Sequence, residues 1–337
     1  MSDVVVARAP GKLFLLGEYA VLDGCPAVVA AINRHIEVRL ELAAGAAVIR
    51  ICAPACGAVE FAAAQPPASE GLLRFVIAAY RAVLSRFPQL GKRGCSLMIA
   101  SAMAGPDAAK VGLGSSAAVT VAAVAALAAF AGAGLDRHAI FAIAFEAHRA
   151  AQHGIGSGAD VAASAYGGVV LFQPHAQAAP GITPLALPEA AELLAAWSGD
   201  SASTADLVEQ YLAARNGSAA ARAAFVAESH IYIDSFVGAL RQGVLSRAAI
   251  DGAADALARL GEQLGLPIVT PRLAQLIALA RAQGAAAKTS GAGGGDCGIA
   301  LVRDAADAER VRKAWHAAHL VPLDVALDPT GVTVARR

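Results

Sequence analysis

Charge is scarce in this chain and favours neither sign: charged residues make up 16% of the sequence, and 27 basic side chains balance 27 acidic ones. No long-range field gathers nucleic acid or an anionic membrane surface, so an anionic ligand has to be held by groups close to it. Cysteine offers no scaffold. The five cysteines, Cys25, Cys52, Cys56, Cys95 and Cys297, are odd in number and scattered, which argues against a disulfide framework and for reduced thiols. Cys52 and Cys56 lack the second ligand pair of a structural zinc site. Asp3, Arg8, Lys12 and Glu18 interrupt the apolar core that a secretory leader needs, so the chain reads as cytoplasmic. No charged residue falls between Val111 and Leu135, yet that stretch is mostly alanine, glycine, serine and threonine. Such a composition gains little from lipid and suits close packing, so a buried core helix is expected rather than a membrane span.

What the chain has in quantity is apolar surface. Hydrophobic residues are 57% of 337, enough for two domains with their own cores. The most informative stretch is Lys110-Val111-Gly112-Leu113-Gly114-Ser115-Ser116-Ala117-Ala118. It sets a glycine turn and two hydroxyls directly before an apolar run of helical length. Glycines let the backbone approach an anion closely, and a helix start presents unpaired N–H groups and a positive dipole end. One of Ser115 and Ser116 is free to cap the helix, and the other to reach a metal or a phosphate oxygen. The same residues also suit an ordinary glycine turn with a serine cap, and no lysine follows the second glycine as in a P-loop.

Along the chain, Val4–Ala7 and Leu13–Leu16 read as two strands around a turn at residues 8–12. Ile36–Leu42 alternates apolar and charged residues, the period of a strand with one wet face, and Val48–Cys52 is a shorter strand. Leu72, Leu73, Val76, Ile77, Tyr80, Val83 and Leu84 recur at helical spacing within residues 71–86, and Cys95–Ala100 returns to strand. Asp136 is placed to cap a helix that runs to Gln152 and stops at a tight loop, Gly154-Ile155-Gly156-Ser157-Gly158-Ala159-Asp160. Residues 161–166 carry no assigned period, and Gly168–Phe172 is a strand. Residues 173–188 hold four prolines, and a domain boundary is expected there, giving domains 1–180 and 181–337. Leu193–Trp197 is a strand, Ser203 and Asp206 mark a helix start, and long helices follow to Leu264 and from Pro271 to Gln283. A third glycine-rich stretch, residues 290–298, leads into the strand Ile299–Val302. A helix to His319 and a strand at Val332–Val334 close the chain.

Three elements in order carry a resemblance: Pro10-Gly11-Lys12 with Gly17-Glu18-Tyr19, then Gly112-Leu113-Gly114-Ser115-Ser116-Ala117-Ala118, then Ser290-Gly291-Ala292-Gly293-Gly294-Gly295-Asp296. Together they resemble the GHMP kinase superfamily over residues 8–300. Lys110, Tyr19 in place of a histidine, the Gly156–Ala163 stretch, Trp197-Ser198-Gly199 with Ala202-Ser203-Thr204, and Asp296-Cys297-Gly298 look most like its phosphomevalonate kinases. The resemblance implies an α+β fold with an N-terminal ribosomal-S5-like domain, a C-terminal ferredoxin-like domain and an active site in the cleft between them. It further implies ATP-dependent, Mg2+-dependent phosphorylation of mevalonate 5-phosphate by a monomer or homodimer, or the activity of mevalonate kinase or another small-molecule kinase of the superfamily.

Carried onto this sequence, the resemblance makes Val111, Gly112, Leu113, Gly114, Ser115, Ser116 and Ala117 the ATP phosphate loop. Ser116 becomes a magnesium ligand, with Glu146 as a second ligand or merely a solvated helix residue. Lys12, Lys110 and Asp160 are the catalytic candidates, and Glu18, Tyr19, Ser157, Gly158, Ser203, Ser290, Gly291, Ala292 and Gly293 join Lys12 on the acceptor side. Arg149 and His148 either hold a phosphate or are helix-surface charges. A phosphomonoester has a second pKa of about 6, so its attacking oxygen is already ionised near neutral pH. Relief of anion repulsion by Lys12 and Lys110 then matters more than a general base, and Asp160 is expected to orient Lys12.

Overall fold

The computed structural model describes the chain apart from residues 1–3, 44, 55, 72, 107–108, 176–177, 215–218 and 337. Leu72, an apolar position of the first expected helix, lies outside the described residues. The chain opens with one long strand, β1 (Val4–Leu16), instead of two strands about a turn. Pro10 lacks an N–H, and the ladder to β2 (Ala27–Leu42) shifts register between Pro10 and Gly11, then resumes. Absorbing the Pro-Gly pair as a bulge keeps Lys12 within the sheet. Then come β3 (Val48–Ala53), β4 (Gly57–Ala62), α1 (Arg74–Arg86) and β5 (Cys95–Ser101), with the strands added to β2 in the order β5, β3, β4.

Three helices follow: α2 (Ser115–Phe130), α3 (Arg137–Ala151) and α4 (Ala159–Tyr166). The charge-free stretch is α2, buried nearly all round between β1, β2 and its neighbouring helices, as an alanine-rich core helix should be. Among the described residues no helix is long and apolar enough to cross a membrane. Asp136 caps α3, its carboxylate accepting from Ala139 N at 2.8 Å. Strands β6 (Val169–Gln173) and β7 (Gly181–Leu185) extend the sheet from the near half of β2.

The second half contributes β8 (Glu192–Trp197), α5 (Thr204–Ala213), α6 (Ala219–Arg241), α7 (Arg247–Leu264), α8 (Pro271–Ala282), β9 (Ala286–Thr289), β10 (Cys297–Val302), α9 (Ala305–Ala317) and β11 (Val321–Leu323). Its antiparallel sheet has the order β11-β8-β10-β9. Side chains alternate across it. Leu194, Ala196, Ala287, Ala300 and Val302 pack with Trp315 and Leu276 from α9 and α8, whereas Leu193, Ala195, Ala286, Ile299 and Leu301 join the core that α6 and α7 share with the first half. The sheet is therefore covered on both faces, and its inner face is continuous with the larger core.

The boundary expected at residue 180 does not coincide with the sheets. Residues 181–185 are β7 of the first sheet, because the proline-containing stretch turns into a hairpin with β6. The C-terminus also returns to the first sheet: β12 (Thr333–Arg336) pairs with β1, and Asp328 N donates to Ala31 O at 3.0 Å. The fold is α+β, with an eight-stranded sheet in one half and a four-stranded sheet in the other.

Candidate active site

The bulge in β1 and the start of α2 meet at Lys12. Its backbone N donates to Leu113 O at 2.8 Å, and its ammonium donates to Gly112 O at 3.0 Å. The side chain is buried along the turn, 5.5 Å from the ring centre of Phe14. Gly114 is the N-cap of α2 with φ 83°, and a Cβ there would fall 2.7 Å from Lys12 Cγ. A side chain at this position would be strained and would displace the lysine. The expected serine cap is not made. Gly114 supplies the left-handed turn, so neither Ser115 nor Ser116 spends its hydroxyl on capping α2, and the first N–H groups of the helix have no intrahelical partner.

Ser116 faces α3 and α4. Its hydroxyl lies 3.3 Å from Nε2 of His148 on α3, and the same nitrogen lies 3.9 Å from Asp160 Oδ2 at the start of α4. His148 is buried, its ring stacked on Phe75 at 5.1 Å, and burial pushes its pKa down against the opposing pull of Asp160. Asp160 Oδ1 accepts from Val161 N at 2.9 Å, and Gly158 with φ 81° makes the turn into α4. Ser157 accepts from Ala159 N at 3.3 Å. Two expectations fail here. Glu146 is 60% exposed and paired with Arg86 at 2.6 Å. Two residues before His148, it sits on the far side of α3 from Ser116. Asp160 forms no ion pair with Lys12 among the described residues; the ring it approaches is that of His148, at 3.9 Å.

The third glycine stretch, between β9 and β10, closes the other side. Ser290 Oγ donates to Phe14 O at 3.2 Å, and a methyl group on Gly291 would lie 4.0 Å from the Lys12 ammonium. Glu18 and Tyr19, expected to contact the acceptor, hold this loop instead. Glu18 is buried, accepts from Gly291 N at 3.4 Å, and pairs with the fully buried Lys288, which also donates to Thr289 O at 2.6 Å. Tyr19 donates to Ala292 O at 2.5 Å, packs on Tyr211 with ring centres 5.0 Å apart, and has its phenol pKa raised by burial. Gly293 stays with this loop: a Cβ there would meet Ile268 O at 2.0 Å.

Lys110 bridges the two halves. Its ammonium donates to Ala202 O at 2.5 Å and lies 3.8 Å from Asp296 Oδ2, and Ser201 donates back to Lys110 O at 2.6 Å. Asp296 ends the third loop with φ 52°, accepts from Ala202 N at 3.1 Å and packs against Gly112. Burial raises its pKa, with Lys110, the Ala202 amide and Lys12 pulling the other way. Ser203 is exposed and caps α5, accepting from Asp206 N at 3.3 Å. The structure thus gathers Lys12, Lys110, the 111–117 loop and Gly291 at one place, with Ser116 and Asp160 at its edge. It leaves Glu146 outside and commits Glu18, Tyr19 and Ser203 to structural bonds.

Sequence reading missed Asp296, Lys288 and the burial of His148. For His148 the signal was available, since it lies four residues after Ala144 and seven after Phe141, on the apolar stripe of α3. Among the described residues no three His, Cys, Asp or Glu side chains group as a metal cage. The donor set instead fits magnesium: the Ser116 hydroxyl and the Asp160 carboxylate are hard oxygens beside a helix start, and magnesium takes one or two protein oxygens and completes its shell with phosphates and water.

Comparison with known proteins agrees with this geometry. A family model described as GHMP kinases N terminal domain matches residues 74–168, and one described as GHMP kinases C terminal matches residues 245–321. A phosphomevalonate kinase of Streptomyces sp. (strain CL190) is 36% identical over 359 residues, covering 95% of this chain and 96% of that protein. A Lin0012 protein from Listeria innocua shares the structure with a TM-score of 0.91 at 26% identity over 99% of both chains. Streptococcus pneumoniae phosphomevalonate kinase, solved in complex with phosphomevalonate and AMPPNP, matches with a TM-score of 0.79 at 25% identity, over 98% of this chain and 99% of that one.

Proposed function

The chain belongs to the GHMP kinase family, and on that basis we propose that it transfers the γ-phosphoryl group of ATP to mevalonate 5-phosphate, giving the 5-diphosphate. The observation that carries the choice of acceptor is the second cation. Lys110 stands with Lys12 at the mouth of one glycine loop, its ammonium 3.8 Å from the Asp296 carboxylate. Two ammonium groups suit two phosphates approaching each other, and the match to phosphomevalonate kinases supports the same acceptor.

In this reading the amides of residues 111–117 hold the nucleotide phosphates at the start of α2, and Ser116 with Asp160 would hold magnesium. The chemistry that magnesium would supply there is neutralisation of charge on the phosphate oxygens. Lys12, now bonded to Gly112 O, turns its ammonium to the oxygens between donor and acceptor. Lys110 exchanges its bond to Ala202 O for the acceptor phosphate. The acceptor oxygen arrives ionised, so no side chain is required to remove a proton. Gly291 and Ala292, fixed by Glu18 and Tyr19, form the wall opposite Lys12.

Release of ADP, followed with mevalonate 5-phosphate and with mevalonate as acceptors, tests the assignment. Turnover is expected with the phosphorylated acceptor, and Lys110→Met is expected to lower its kcat/KM by about tenfold or more, the scale of losing one charge-assisted hydrogen bond to a phosphate. Turnover of mevalonate with none of its 5-phosphate would refute it.

A further inference from the structure

We infer that His148 is the positioning residue of the nucleotide side of the site, holding the Ser116 hydroxyl and the Asp160 carboxylate in fixed relation through a single N–H. The inference rests on the kinase reading above, since it assigns a task only if Ser116 and Asp160 serve a bound nucleotide and its metal.

Three observations lead there. First, the ring is locked: 2% exposed, stacked on Phe75 of α1 at 5.1 Å with planes 24° apart, and carried on the buried stripe of α3. Second, only one of its nitrogens has partners. Nε2 meets Ser116 Oγ at 3.3 Å and Asp160 Oδ2 at 3.9 Å, whereas Nδ1 is buried with no hydrogen-bond partner among the described residues. Third, the chemistry of those partners selects the tautomer. An ionised carboxylate only accepts, so a bare Nε2 would turn a lone pair toward Asp160 and bury a protonated Nδ1 with no acceptor. With the hydrogen on Nε2 both penalties fall away, and the remaining cost is one unpaired acceptor.

With that hydrogen on Nε2, Ser116 Oγ accepts from His148. That hydroxyl keeps its own hydrogen to donate and one lone pair to offer, both aimed away from the imidazole. Ser116 thus faces a nucleotide in two hydroxyl orientations instead of three. The Nε2–H dipole also points toward the Asp160 carboxylate 3.9 Å away, so the two oxygen donors come from separate helices, α2 and α4, but are registered by a third, α3. An orphaned buried nitrogen costs stability, and its retention is explained by what the other nitrogen does. Partners that orient metal-binding groups in this way are typically worth about ten- to a hundredfold in affinity or activity.

The test compares His148→Leu, His148→Asn and His148→Gln, because a glutamine amide reaches the place of Nε2 and an asparagine amide only that of Nδ1. Calorimetric titration of AMPPNP with and without magnesium is the readout independent of turnover. The magnesium-dependent gain in AMPPNP affinity and kcat are both expected to fall about tenfold or more in the Leu and Asn variants and to stay within about threefold of wild type in the Gln variant. Should the Leu variant not fold, the Gln and Asn pair, both polar and similar in volume, still decides. Equal behaviour of Gln and Asn, whether both active or both impaired, would overturn the inference, as would a folded Leu variant with wild-type magnesium dependence. Absence of AMPPNP binding by the wild-type protein would instead defeat the kinase reading itself, so the two failures are distinguishable.

Discussion

At the scale of single residues, the account turns on side chains whose surroundings override their ordinary chemistry. Asp296 sits in left-handed backbone, which aspartate tolerates, and is nearly buried between Gly112 and the Ala202 amide. Burial raises its carboxyl pKa above the ordinary 3.8 despite Lys110. The folded protein therefore retains a proton over a window in which the unfolded chain has lost it. The stability this group contributes is full below 3.8 and is lost as pH rises through the folded value. Asp296→Asn, neutral at every pH, is accordingly expected to gain melting temperature relative to wild type as pH rises from about 4 to 8, with the difference shrinking toward acid. A difference that grows toward acid would contradict the assigned direction. None of this is visible in sequence, where Asp296 reads only as the end of a glycine run; its burial is created by Asp200 and Ala202, far away in the chain.

At the scale of elements, the end of β9 is tied to the turn after β1 by a buried ion pair, Glu18 with Lys288, across 270 residues of sequence, beside the Ser290–Phe14 and Tyr19–Ala292 bonds of the loop that follows. Burial pushes the Lys288 pKa down and Glu18 pulls it back up. Breaking such a pair strands a charge at a cost of about 3–5 kcal/mol, whereas removing both members costs far less. Lys288→Met is expected to lose stability of that size in urea unfolding, and Glu18→Met with Lys288→Met to recover most of it. A double variant no more stable than the single would show that the loop is fixed by something else. Much at this scale was legible. The period of Ile36–Leu42, the Asp136 and Ser203 caps and the alanine-rich core helix follow from local pattern and reappear as parts of β2, α3, α5 and α2. The failures were tertiary. Pro10-Gly11 reads as a turn in isolation, but the partner strand β2 carries the chain straight through it. The small residues of α4 and the short edge strands β4, β7 and β11 have too little periodicity of their own to announce them.

At the scale of the whole molecule, the three glycine stretches named in sequence do converge. Lys12 touches Gly112 and Leu113 directly and lies beside Gly291, and Lys110 joins the central loop to the second half through Ser201 and Ala202. Their order along the chain was readable, but which side chains face the cleft was not. Glu18, Tyr19 and Ser203 carry the right chemistry for a ligand and spend it on the fold, while His148 looked like surface and is core. The expected boundary at 180 misses because β7 and β12 both return to the first sheet, which stitches the halves at two further places. This framework supports the central claim, that paired ammonium groups and bare amides bring two phosphates together. Phosphorus NMR of the protein incubated with ATP, magnesium and mevalonate 5-phosphate tests it most directly. The account predicts that the single phosphomonoester resonance of the acceptor is replaced by two mutually coupled diphosphate resonances as ADP accumulates; a phosphomonoester signal that persists unchanged would contradict it.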